Sequence, residues 1–82
     1  MTVFCQGRIY EIPEKYDPVT GLYGLTEGTN IYRMPAGMVK RFKLFLVHQY
    51  NHELPALRSW LRSLSLYDRQ QIIITPILDT TD

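Results

Sequence analysis

The chain has 82 residues, a net charge of +1, 45% hydrophobic and 21% charged residues and one cysteine. These values exclude a disordered chain, an internal disulfide and a multi-domain protein, and a chain this short hides only about 60–65% of its unfolded surface. Charge is unevenly spread: residues 1–32 hold two basic and four acidic side chains, residues 33–69 hold seven and two, and residues 70–82 hold two acids. A basic middle of this kind fits an anionic partner or a fold that neutralises itself.

No stretch resembles a signal peptide, and the longest aliphatic or aromatic run, Leu44 to Val47, is far short of a membrane span. A soluble cytoplasmic protein with reduced Cys5 and no membrane partner is expected.

Residues 2–34 read as a three-stranded antiparallel meander. Val3 to Ile12 is rich in strand formers and is interrupted by Gly7, which reads as a bulge or a close backbone approach. Asp17-Pro18-Val19-Thr20-Gly21 is a strong turn, with Asp at its first position, Pro preset at negative φ and Gly free to take positive φ. Leu22 to Thr26 and Asn30 to Met34 then flank a second turn, Glu27-Gly28-Thr29.

Pro35-Ala36-Gly37 closes the meander, and a helix is expected from Met38 to Tyr50. Met38, Val39, Phe42, Phe45 and Leu46 recur at helical spacing, while Leu44 and Val47 spoil the pattern by falling near the polar side. A strand would instead place Phe42, Leu44 and Leu46 together, but thirteen residues without a turn signal favour the helix.

The clearest signal follows. Leu54, Leu57, Trp60, Leu61 and Leu64 share one side of a helix whose opposite side carries Arg58, Ser59, Arg62 and Ser63. Asn51 is the expected cap, with Pro55 tolerated in the first turn. So short a helix is marginal alone, and its apolar side is expected to dock on the N-terminal sheet, leaving the cations outermost. Ser65-Leu66-Tyr67-Asp68 has capping-box spacing for one more turn. Gln70 to Leu78 reads as a strand because of its isoleucines, with Pro76 restricting it to an edge or a bulge; a short helix stopped by Pro76 is the rival. Asp79 to Asp82 reads as a polar tail. The expected fold class is therefore α+β, a single domain over residues 1–82 with a three-stranded meander, two helices and a short terminal strand.

Little in the chain suggests catalysis. His48 and His52 have i,i+4 spacing, but a zinc site needs more ligands and Cys5 is the only thiol, so surface or capping histidines are the preferred reading. Cys5 in a strand pattern reads as a buried, inert thiol. Glu11 and Glu14 around Pro13 read as solvated turn residues, and no glycine-rich stretch has phosphate-binding spacing. No enzyme, cofactor or metal is expected.

Binding residues are the better clue. Arg58 and Arg62 lie one turn apart, Lys40 and Lys43 lie together on the preceding helix, and six tyrosines add contact area, with Tyr23 and Tyr32 as aromatic anchors. The leading expectation is a non-enzymatic interaction protein, acting as inhibitor, adaptor or regulatory subunit on a larger protein or protein–nucleic acid complex. Its alternative is direct nucleic-acid binding by a helix-turn-helix-like pair jointed near Asn51-His52-Glu53. A homodimer through strand edges or through Phe45 and its neighbours is the third.

Overall fold

A computed structural model describes residues 1–52 and 55–77 as an α+β domain with five strands, three helices and a final strand. Glu53, Leu54 and residues 78–82, including the expected polar tail, lie outside the described residues.

The first expected strand is in fact a hairpin of β1 (Thr2–Cys5) and β2 (Arg8–Glu11), with Cys5 opposite Arg8. Gln6 and Gly7 connect them with φ of 52° and 77°. Positive φ at both central positions is the geometry of a type I′ turn, whose twist matches that of the flanking strands. The turn reverses the faces expected of a continuous strand. Val3 and Cys5 point into the core, whereas Ile9 joins Phe4 as an exposed cross-strand pair. Met1 and Ile12 exchange backbone hydrogen bonds and close the open end.

A separate four-stranded antiparallel sheet follows, in the order β3 (Glu14–Asp17), β4 (Leu22–Glu27), β5 (Asn30–Met34), β6 (Ile73–Pro76). The expected meander is thus present over residues 14–34, but its first strand is Glu14–Asp17. Its Asp17 turn forms as read: the carboxylate accepts from the Val19 N–H at 2.9 Å and the Thr20 hydroxyl at 3.1 Å, and Gly21 takes φ of 75°. Those hydrogen bonds hold the Asp17 carboxyl below its ordinary pKa.

At the far side of this sheet the Ile77 N–H donates to the Thr29 carbonyl at 2.7 Å, in register with Ile73 opposite Arg33 and Thr75 opposite Ile31. Antiparallel alternation therefore turns the backbone groups of Ile74 and Pro76 to the open edge. Pro76, which has no N–H, occupies a position where none is needed.

Helix α1 (Ala36–His48) starts two residues before its expected position and buries Met38, Val39, Phe42, Phe45 and Leu46. It touches both β1 and β4, while the inner face of the large sheet contributes Leu25, Tyr32 and Met34 to the core. Helix α2 (Ala56–Ser63) packs on α1, with Trp60 against Phe42 at 5.1 Å between ring centroids. Its direct seat is thus α1 rather than the sheet alone. Each of its fully buried apolar side chains contributes about 1.5–3 kcal/mol. Asn51 is not its cap: Pro55 takes that position, and the Glu27 carboxylate accepts from the Ala56 and Leu57 N–H groups at 2.9 and 2.8 Å. Ser65 does cap α3 (Leu66–Arg69), accepting from the Asp68 N–H at 3.2 Å.

Candidate interaction surface

The two residues that disturbed the helical pattern of α1 define its outer side. Leu44 is 59% exposed and Val47 is 42% exposed, one turn apart. They sit off the buried stripe because five other apolar positions already fill the side facing the sheets. A soluble helix spends such positions on polar residues unless something covers them, although single exposed apolar residues are common.

Leu44 stands at a groove between α1 and α2. One cavity of about 300 Å³ is lined by Phe45, Trp60 and Leu64 below and by Arg41, Leu44 and His48 at its rim. A second, of about 220 Å³, adjoins it through Phe45 and Gln49 and reaches Ser59 and Arg62. The Ser59 hydroxyl there is buried with no hydrogen-bond partner among the described residues. Its backbone N–H donates to the Pro55 carbonyl within the helix, which leaves the side chain as an unspent polar atom in the groove wall.

Arg41 and Arg62 line the groove beside His48, and no carboxylate does so among the described residues. Arg41 also reaches Asp68 at 2.9 Å, tying α3 to α1. The guanidinium is the main reason the Asp68 carboxyl titrates below its ordinary value, with the Ser65 hydroxyl assisting. Leu66 and Tyr67, the neighbours of Asp68, are both strongly exposed beside this ion pair.

The residues singled out from the sequence do not form one surface. Arg62 belongs to the α1–α2 groove, while Arg58 lines a different cavity of about 250 Å³ with Glu27, Asn30 and Tyr32. Lys40 and Lys43 do meet Tyr23, but on the opposite flank of α1 beside Glu14. All four cations are exposed, and none forms an ion pair with another described residue. Tyr32 is only 2% exposed and belongs to the core, so it is no surface anchor. Its register opposite Leu25, on the sheet face covered by the helices, dictates this. Leu44 and Gln49, which line the groove, were not singled out from the sequence; the place of Leu44 off the buried stripe was the available signal.

The histidines also part company. His48 ends α1 and lines the groove, whereas His52 lies beyond the helix with φ of 65°. His52 stacks on Tyr10 at 5.3 Å and shares a 2.8 Å hydrogen bond with the Gln6 side chain, whose amide NH₂ also donates to the Tyr50 carbonyl at 3.1 Å. The tip of the first hairpin is thereby fastened to the segment after α1. Burial, then the Glu27 charge, pushes the Tyr50 phenol above its ordinary pKa. Cys5 is buried, and among the described residues no three His, Cys, Asp or Glu side chains converge as a metal site requires. No described helix is long and apolar enough to cross a membrane.

Comparison of the chain with protein-family models, curated proteins and solved structures finds no match.

Proposed function

We propose that this is a non-enzymatic interaction protein that binds a larger macromolecule, as an inhibitor, adaptor or regulatory subunit, through the α1–α2 groove. The observation that carries the reading is Leu44, exposed over a cavity that Phe45, Trp60 and Arg41 line, with Arg62 on the adjoining cavity. Buried aromatic surface ringed by arginine is the composition of binding hot spots. Relative to the expectation from sequence, the helical surface is retained and its centre moves from Arg58 and Arg62 to Leu44 and Arg62.

A photo-crosslinking amino acid at position 44, with position 20 on the exposed Asp17 turn as control, tests this in extract from the native host. A discrete adduct from position 44 alone, lost on adding Arg62→Glu, is expected. No adduct, or equal labelling from both positions, removes the reading.

The second reading is nucleic-acid binding. It draws on exposed Lys40 and Lys43 beside Tyr23, which form no ion pair among the described residues, and on exposed Arg58. Binding to generic DNA or RNA that falls steeply between low and high salt is its expected signature, and a flat response sets it aside.

A further inference from the structure

We infer that the open edge of the large sheet pairs with itself. Strand β3 (Glu14–Asp17) lies antiparallel to β3 of a second copy of the chain, about a twofold axis at Tyr16, and joins the two four-stranded sheets into one. This surface is separate from the α1–α2 groove.

The backbone shows which groups the edge offers. The Thr26 N–H donates to the Pro13 carbonyl at 3.0 Å, in line with the register that sets Lys15 opposite Gly24 and Asp17 opposite Leu22. Antiparallel alternation makes these the hydrogen-bonded pairs and turns the N–H and C=O groups of Glu14 and Tyr16 away from β4. Strand β3 ends the strand order, and among the described residues no other backbone group bonds to these. Glu14, Lys15 and Tyr16 are all exposed. A row of unpaired backbone groups selects an extended occupant, because a strand offers donors and acceptors at the matching spacing.

Charge selects a second copy. Charged side chains on an edge ordinarily repel a passing strand. Lys15 and Asp17 share the sheet face turned away from the core, while Tyr16 lies with Tyr23 and Leu25 on the other. Rotation about Tyr16 sets Lys15 of each copy opposite Asp17 of the other, at the non-hydrogen-bonded sites where side chains lie closest. A slide of two residues replaces these pairs by Lys15 against Lys15 or by Asp17 against Asp17. The charges therefore admit one antiparallel register and oppose its neighbours. Asp17 has lone pairs left for the lysine, since Val19 and Thr20 each supply it a single hydrogen bond.

At the axis the two Tyr16 residues exchange N–H···O=C bonds. Each ring already packs on its own Tyr23 at 4.8 Å between centroids, so the pairing extends that contact into a row of four tyrosines.

The other free edges lack this match. Strand β6 carries no charge, and Pro76 on its open side has no N–H. Strand β2 carries Arg8 and Glu11, but three residues apart they fall on opposite faces, so no antiparallel self-pairing sets one against the other.

Sedimentation equilibrium of the full chain from about 10 µM to about 1 mM spans the range of a small, transient interface. The mass is expected to rise from one chain toward two. Lys15→Glu, which opposes two carboxylates, should weaken association about tenfold or more, whereas Lys15→Arg should leave it within about twofold. In a mixture of ¹³C-labelled and unlabelled chains, an interchain NOE between the α protons of Lys15 and Asp17 is expected. Exchange of the Tyr16 amide should slow as concentration rises.

A monomer throughout, or a dimer without that NOE, overturns the inference. Association unchanged by Lys15→Glu overturns the part played by charge. Because position 20 follows this edge, the groove crosslink is run below the concentration at which the mass rises. The position-44 adduct then decides the groove reading whichever way the pairing falls.

Discussion

The carboxylate of Glu27, at the end of β4, accepts hydrogen bonds from the backbone of Leu57, thirty residues on, at 2.8 Å, and from the adjacent Ala56. The first turn of α2 leaves N–H groups without intrahelical partners, and Pro55 at the cap position has no side-chain acceptor. Glu27 supplies what a local Ser, Thr, Asp or Asn normally would. Its negative charge also lies at the positive end of the helix. A sheet residue thus fixes where α2 begins.

Replacing Glu27 by Ala should therefore destabilise the protein by about 1–2 kcal/mol, the range for loss of a helix cap. Glu27→Gln should cost less, since one oxygen remains to accept. Urea unfolding measured by the fluorescence of Trp60, the only tryptophan, gives both values. Equal stability of the three proteins counts against the capping role.

Acid should loosen α3 first. The Asp68 carboxyl is held below its ordinary pKa by the Arg41 guanidinium, so it binds its proton more readily in the unfolded chain than in the folded one. The stability this confers is present above the unfolded value, near pH 4, and is lost as pH falls through the lower folded value. Asp17 behaves in the same sense through its turn hydrogen bonds. Unfolding midpoints of wild type and Asp68→Asn should differ at pH 6 and converge toward pH 2, and a constant difference would contradict the assignment.

The hairpin turn should resist substitution at Gly7. With φ of 77°, an L side chain there is strained even though nothing stands within 4 Å of an added Cβ. Gly7→Ala should cost about 1 kcal/mol, and Gly7→Asn less, because Asn tolerates this region better. Since Gln6 at the same tip holds both Tyr50 and His52, Gly7→Ala should also speed amide exchange at residues 50–52. Unchanged exchange there would show that the tip and the later segment are uncoupled.

The groove can be altered without unfolding the protein. Trp60→Ala removes a ring packed on Phe42 and should cost about 3–5 kcal/mol, enough to unfold much of a small domain. Leu44→Asp and Arg62→Glu lie on exposed positions and should leave stability within about 0.5 kcal/mol of wild type. Both should nevertheless weaken partner binding at least tenfold in a polarisation assay. Normal binding by the two variants together would place the site elsewhere.

Local chemistry was readable from the chain. The Asp17 turn, the Ser65 cap, the stripe of α2 and the edge position of Pro76 each depend on residues within a few positions of one another, so steric and hydrogen-bonding rules for neighbouring residues suffice. Even Gly7 carried its signal, since Gln-Gly between strand formers suits a two-residue turn as well as a bulge; the choice inverted the faces of the following residues because strand side chains alternate.

Tertiary packing decided the rest. Alternation along a strand sorts Tyr32 from Arg33, but which face the helices cover depends on contacts with residues far along the chain. Helical spacing puts Arg58 near Arg62, yet the neighbouring elements divide them between separate cavities. Asn51 had the right chemistry for a cap, but Pro55 holds the position and Glu27 supplies the acceptor, because a carboxylate reaching across the fold is invisible to any window of adjacent residues. Periodicity says which side chains share a face; only the folded arrangement says what that face meets.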